Sequence, residues 1–189
     1  MVEQATATGS TEGAGGHDNP PPVDVYQQLI SRLDASGARY RVIEHPPEGR
    51  THIVSTYRGH PVAQAAKCIV VMVKVGKREK RYFLAVVPGD QRVDLQALRL
   101  LVDGTYVTFA SQEAAESLSG SRSGTILPFS AHPDLDLVVD PGLLKHPVIF
   151  FNAGRLDRSL ALDTRDYVQI AQPRVHPIAA PHTEGKHDG

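Results

Sequence analysis

The sequence predicts an α+β fold, in which a mostly antiparallel, mixed sheet is flanked by a few short helices. Two strong apolar runs, Cys68-Ile69-Val70-Val71-Met72-Val73 and Tyr82-Phe83-Leu84-Ala85-Val86-Val87, flank a short charged loop containing Gly76, which is the pattern of a β-hairpin. Three later β-prone runs begin at Leu135, Pro147 and Ser159, set apart by Pro141-Gly142 and by Ala153-Gly154-Arg155. Between and before these strands lie stretches with apolar residues at helical spacing, each preceded by a capping residue.

A chain of 189 residues is long enough for one domain with a sizeable core and too short for two full ones. Its 20 Lys+Arg balance 21 Asp+Glu to a net charge of −1, so any nucleic-acid contact has to come from a local patch. The single cysteine excludes an internal disulfide framework and a cysteine-based zinc site, and it fits a reducing cytosol. No apolar run approaches the roughly 18 residues of a spanning helix. The N-terminus lacks the basic and apolar regions of a signal peptide. The protein therefore reads as cytoplasmic and soluble, with no membrane partner.

Residues 1–22 are poor in large apolar side chains and end in Asn19-Pro20-Pro21-Pro22, so a disordered tail is expected there. The folded domain is expected over residues 23–172. Asp24 can cap a helix whose stripe is Val25, Leu29, Ile30 and Leu33, with Gly37 placed to end it. Tyr40-Arg41-Val42-Ile43-Glu44-His45 reads as a short strand stopped by Pro46-Pro47. From Glu48 to Gly59 the chain is polar and weakly patterned, and Pro61 is placed to open a short helix reaching Ala66. After the hairpin, Asp94 caps a helix through Leu95, Leu98, Leu101 and Val102, which Gly104 ends. Thr105 to Phe109 is β-prone, and Ser111 caps a helix ended by Gly120. From Pro173 the composition returns to Pro, His, Gly and Lys, and a second disordered tail, residues 173–189, is expected.

The side chains exclude several chemistries. Nine histidines invite a metal site, but five of them precede proline, they are scattered, and no HExxH or close His/Cys grouping occurs. No metal and no cofactor is expected. The serines around Gly120 and Gly124 form no GxSxG, and no P-loop or GxGxxG follows a strand. Cys68 opens an apolar strand and reads as a buried thiol.

Two features remain. Lys67 stands where the chain enters the core, so its ammonium either snorkels to water or faces a polar pocket. The loop Ser119-Gly120-Ser121-Arg122-Ser123-Gly124-Thr125-Ile126-Leu127-Pro128-Phe129-Ser130 is either a plain connection or a cradle whose amides hold an oxyanion, carboxylate or phosphate.

The order of Glu44-His45-Pro46, Ala65-Ala66-Lys67 before a hydrophobic strand, a hairpin, Gly124-Thr125-Ile126-Leu127-Pro128-Phe129, Asp140 and Phe151-Asn152-Ala153-Gly154 resembles the YbaK/prolyl-tRNA synthetase editing-domain family. The resemblance covers roughly residues 24 to 170. It implies a mixed sheet or partly closed barrel, and an aminoacyl-tRNA deacylase acting in trans on mischarged tRNA, with transient association with a synthetase. It implies that Lys67 is the essential polar group of the pocket. It also implies that Gly124, with Thr125, Ile126, Pro128 and Phe129, forms a loop presenting amides to the aminoacyl carbonyl, and that water is the nucleophile, assisted by the substrate's ribose hydroxyl. Asp140, Asn152 and Gly154 are further pocket candidates. Two positions depart from the family pattern: Ser130 follows Phe129 where glycine is usual, and Arg155 follows Gly154 where the synthetase-inserted members carry histidine.

The stretch before Lys67 carries Thr51, His52, Ser55 and Thr56, more hydroxyl and imidazole than a pocket for alanine requires. It leans the expected substrate toward a Ser or Thr ester, with Ala an open alternative. Lys74, Lys77, Arg78, Lys80 and Arg81 make the hairpin either a solvated turn or a contact for the acceptor stem. Outside the deacylase reading stand a non-catalytic module binding an aminoacyl or nucleotide ligand, and a hydrolase of another small ester or thioester.

Overall fold

The computed structural model describes residues 24–181, so the expectation for residues 1–22 lies outside the described residues. Helix α1, Val25–Ala35, starts where the sequence predicts: the Asp24 carboxylate accepts the Tyr26 amide, and Tyr26, Leu29 and Leu33 face the core. Gly37 has φ +63, the left-handed geometry that ends the segment. Strand β1, Tyr40–Glu44, follows.

The polar stretch after it is a helix, α2, Thr51–Arg58, which sequence reading leaves unpatterned. Its β-branched and hydroxyl residues have weak helix propensity, and Arg50 at its N-cap makes no side-chain capping bond. The Glu48 carboxylate instead accepts the amides of Gly49 and Arg50 at 2.9 and 2.8 Å. Paired with the Arg50 guanidinium, this carboxylate is held down at about 2. At the other end Gly59 takes the left-handed cap at φ +69.

A single 3-10 turn, Val62–Gln64, replaces the short helix expected after Pro61 and leads into the hairpin of β2, Ala66–Val75, and β3, Glu79–Pro88. Lys67 pairs with Val87 at one end of this ladder and Val75 with Glu79 at the other. Strand β4, Gln91–Val93, then runs into α3, Leu95–Leu100, which Asp94 caps through the amides of Gln96 and Ala97. Strand β5, Tyr106–Phe109, precedes α4, Gln112–Ser119, capped by Ser111. Next come β6, Leu135–Val139, β7, Val148–Asn152, and β8, Arg158–Asp163. The helix α5, Thr164–Ala171, is capped by the Asp163 carboxylate and was not anticipated.

The five-stranded sheet has the order β5-β2-β3-β6, completed by a strand from the C-terminal segment. The pairings β5·β2 and β2·β3 are antiparallel, whereas β3·β6 is parallel. A three-stranded antiparallel sheet, β1-β8-β7, meets it through a bridge between Ala65 and Phe150. The mixed, largely antiparallel architecture is the one the sequence predicts.

Successive residues of β2 and β3 enter two different apolar clusters. Val70, Leu84 and Val86 pack with α1 and the three-stranded sheet, while Val71, Val73, Phe83, Ala85 and Val87 pack with Leu98 and Ile178. Burial on both faces is why these strands read as unbroken apolar runs.

The expected tail from Pro173 is corrected by the structure as far as residue 181. Strand β9, Arg174–Val175, pairs with β6, and β10, Ala179–Pro181, pairs with β4. Ile178 is fully buried, and the Asp140 carboxylate accepts the amides of Ile178 and Ala179, both at 2.8 Å. A single buried isoleucine and a buried carboxylate thus anchor a segment whose composition looks like a tail. Residues 182–189 lie outside the described residues.

Candidate active site

The β1–α2 loop, α2, the entrance to β2, the Gly124 loop and the end of β7 converge on a small cleft of about 80 Å³. Its walls are Gly49, Thr51, Val54, Arg58, Ala66, Lys67, Cys68, Gly124, Ile126, Phe151 and Asn152. Gly49, Thr51 and Lys67 also line a wider groove of about 840 Å³ that continues past Arg50, His52, Val62, Gly89 and Asp90. A narrow inner chamber therefore opens into a broad outer one, and Lys67 stands between them.

Lys67 is half-buried, and its ammonium donates to the Gln91 carbonyl at 2.5 Å. Burial pushes its pKa below the usual lysine value, with Asp90 opposing that shift and Arg92 adding to it. Lys67 thus lines both chambers while its ammonium is held by a backbone carbonyl.

The helical period sorts the residues of α2. Thr51, Val54, Ser55 and Arg58 share its inner face, and three of them line the cleft. Ser55 is buried but donates to the Thr51 carbonyl at 2.8 Å, so its role is within the helix. His52 and Thr56 lie on the opposite, exposed face. His52 reaches only the outer groove, and Thr56 donates to the Ile53 carbonyl and lines neither chamber.

The Gly124 loop divides in the same way. Gly124 and Ile126 line the cleft. Gly124 has φ +85, and a Cβ there would lie 3.3 Å from the Gly49 Cα, so glycine is needed both for conformation and for close approach. The amides of Ser123 and Thr125 are already bonded, to the Glu116 carboxylate and the Arg122 carbonyl, each at 3.0 Å. Those of Gly124 and Ile126 have no protein acceptor among the described residues.

Thr125 turns away, its hydroxyl donating to the Arg122 carbonyl at 2.9 Å. Pro128 accepts the Tyr167 hydroxyl at 2.8 Å, and Phe129 packs edge-on against Phe151 and Tyr167; both belong to the core rather than to the cleft. Ser130 ties the loop to β6 by donating to the Leu135 carbonyl at 2.7 Å.

Two further candidates also fall outside the cleft. The Asp140 carboxylate is occupied by the amides of Gly142, Ile178 and Ala179. Gly154, at φ +74, approaches Val25 so closely that a Cβ would meet its Cγ1 at 2.9 Å, so its role is to let β7 turn beneath α1. Arg155 pairs with Asp157.

Asn152 does belong to the cleft, and it brings a residue the sequence reading missed. Arg58 is 8 % exposed, and its guanidinium donates to Asn152 Oδ1 at 2.6 Å and to Ser159 Oγ at 2.8 Å. Ser159 Oγ donates to Asn152 Oδ1 at 3.1 Å and contacts His45 Nε2 at 2.6 Å. Asn152 Nδ2 donates to the carbonyls of Glu48 and Gly124, both at 2.9 Å. Burial pulls the Arg58 pKa down to about 10, which leaves it cationic at neutral pH. The signal for Arg58 was the spacing Thr51, Val54, Ser55, Arg58, which marks one helical face once a helix is granted.

The basic hairpin lies elsewhere. At about 3.3 Å per strand residue, Val75 is roughly 26 Å along β2 from Lys67. Lys77, Arg78 and Lys80 are exposed at or beside that far turn, Lys74 lies over the Tyr106 ring, and Arg81 pairs with Asp136 at 2.6 Å. Burial pushes the Cys68 thiol well up, out of range for a thiolate at neutral pH. Among the described residues no three His, Cys, Asp or Glu side chains come together as metal ligands.

The small chamber and the wider groove thus share Gly49, Thr51 and Lys67. The chain belongs to the aminoacyl-tRNA editing domain family, which its residues 45–170 match. It is 41% identical over 151 residues to the multifunctional Ser/Thr-tRNA deacylase ProXp-y of Escherichia coli K12, covering 79% of this chain and 90% of that protein. The prolyl-tRNA editing protein ProX of Acetoanaerobium sticklandii is 20% identical over 162 residues, covering 84% of this chain and 97% of that one. A crystal structure of a candidate trans-editing enzyme for prolyl tRNA synthetase superposes with a TM-score of 0.68 and 22% identity, covering 84% of this chain and 98% of that one; this likeness concerns the fold. Among the described residues no helix is long and apolar enough to cross a membrane.

Proposed function

We propose that the chain is an aminoacyl-tRNA deacylase that hydrolyses the ester of mischarged tRNA in trans, with seryl and threonyl esters as its foremost substrates. The observation that carries the reading is the junction of the two chambers at Lys67 and Gly124 in a chain of this family. The inner cleft of about 80 Å³ takes a small aminoacyl side chain, and the outer groove takes the terminal nucleotide. The 41% identity to a Ser/Thr-tRNA deacylase supports the choice of amino acid.

In the reaction, water attacks the ester carbonyl carbon, the acyl C–O bond breaks, and the ribose oxygen leaves with a proton. Charge gathers on the carbonyl oxygen as the tetrahedral species forms. In this reading the amides of Gly124 and Ile126, which have no protein acceptor among the described residues, donate to that oxygen, and donors fixed in advance need no reorganisation. The Lys67 ammonium binds the anionic and ribose side of the substrate at the chamber boundary. Water is the nucleophile in this reading, and the substrate's own ribose hydroxyl assists it. The tRNA is met in the cytoplasm, on release from the synthetase or during a transient contact with it.

The need for such an enzyme follows from the limits of pocket selection, because one methylene separates substrates by only about 1–3 kcal/mol. A deacylation screen across tRNAs charged with Ala, Ser, Thr and Cys tests the proposal. Release of Ser and Thr at rates well above the no-enzyme blank is expected. Blank-level rates for all four esters would refute it.

A further inference from the structure

Arg58 presents a puzzle as a structural residue. It is a buried cation, and among the described residues no carboxylate pairs with it. Its two described bonds go to neutral oxygens, leaving Nη1 without an acceptor among the described residues. Burying an unbalanced guanidinium is costly, and an apolar residue of similar volume would fill the position at lower cost.

Besides Arg58, the polar groups of the inner cleft are the Thr51 hydroxyl, the Gly124 and Ile126 amides, and Lys67 at its mouth. Val54, Cys68, Ile126 and Phe151 offer apolar or weakly polar surface. The Asn152 amide is saturated, with Nδ2 donating to two carbonyls and Oδ1 accepting from Arg58 and Ser159. The Lys67 ammonium is tied to Gln91 at the boundary with the outer groove. Of the two charged donors that line it, Lys67 stands at the mouth and Arg58 in the wall, where Asn152 and Ser159 hold its planar guanidinium.

Building on the deacylase reading, we propose that Arg58 sets the preference of the cleft for a hydroxyl-bearing aminoacyl group by donating from its free edge to the substrate's side-chain oxygen. An alanyl ester has no oxygen there and forgoes this charged hydrogen bond. A site built to pair with a hydroxyl penalises the analogue lacking it far more than a merely apolar pocket can. Selectivity thus comes from a cation that the protein itself leaves incomplete.

The test measures kcat/KM on seryl-, threonyl- and alanyl-tRNA for the parent, Arg58→Met and Arg58→Lys. The parent is expected to favour Ser over Ala by about tenfold to a hundredfold, the range for one hydrogen bond to a charged donor. Arg58→Met should bring the Ser-to-Ala ratio down by about tenfold or more, with Arg58→Lys in between. The ratio is independent of the fraction of folded protein, so partial unfolding of the methionine variant does not mimic the effect. If that variant yields no soluble protein, Arg58→Lys and Arg58→Gln supply the ratio. A parent that cleaves Ser and Ala esters equally, or variants that lower both rates by the same factor, would overturn the proposal and leave Arg58 a support for Asn152. A parent inactive on all three esters defeats the deacylase reading itself, an outcome distinct from an active enzyme with an unchanged ratio.

Discussion

Arg58 and Asn152, 94 residues apart in sequence, share a 2.6 Å hydrogen bond beneath the cleft, and through it the helix α2 is coupled to the glycine loop. Asn152 passes that contact on, because its Nδ2 holds the carbonyls of Glu48 and Gly124. One amide therefore fixes three chain segments at the mouth of the inner chamber.

Asn152→Asp should break this arrangement. The substitution turns the two donors facing Glu48 and Gly124 into an acceptor, setting oxygen against oxygen in a buried site. The expected cost is about 2–4 kcal/mol, from unmade bonds of about 1–3 kcal/mol each offset in part by a new charge pair with Arg58. Urea denaturation measures the cost, and deacylation of seryl-tRNA should drop at least tenfold. A variant of parental stability and activity would show that the amide does not hold the loop.

Lys67→Ala should abolish turnover without lowering the melting temperature through loss of charge. Burial depresses the Lys67 pKa in the fold relative to the unfolded chain. The folded state therefore binds fewer protons than the unfolded one between the two pKa values, so this residue's contribution to stability improves as pH rises through that window. Below the window the ammonium is present in both states and is disfavoured in the fold. Activity should move oppositely, falling on an alkaline limb below the ordinary lysine pKa of 10.5 once spontaneous ester hydrolysis is subtracted. In Lys67→Arg that limb should shift upward, whereas an unmoved limb would assign it to another group.

Asp140→Ala should be a stability variant and not a catalytic one. Its carboxylate serves three amides, two of them on the C-terminal segment, and it lines neither chamber. The expected loss is about 2–3 kcal/mol, from buried amides left unpaired, with kcat per folded molecule near that of the parent. A tenfold fall in kcat at full folding would return Asp140 to the active site.

Neutralising Lys77, Arg78 and Lys80 tests the hairpin as a tRNA contact. The turn is roughly 26 Å from Lys67 along the strand, so it can only meet the tRNA well away from the ester. Each lost phosphate contact should flatten the slope of log affinity against log salt by about 0.9. Hydrolysis at saturating tRNA should be preserved. An unchanged slope makes these charges a solvated turn.

The sequence by itself determined the elements whose causes are local. The caps at Asp24, Asp94 and Ser111 and the hairpin from Ala66 to Pro88 follow from neighbouring residues and from strands buried on both faces. The motif around Lys67 and Gly124 was legible too, through resemblance to a family. The tertiary structure decided the rest. Helix α2 has weak propensity and forms because Val54, Ser55 and Arg58 are buried against distant strands. The segment after Pro173 looks like a tail until Ile178 enters the core and Asp140 binds its backbone. Arg58 became a candidate only when folding set it beside Asn152, while Asp140, Thr125, Pro128 and Phe129 line neither chamber. Local patterns record how a segment buries its own apolar face, whereas a site depends on which polar groups are left unpaired after distant segments meet, and no single stretch of sequence carries that information.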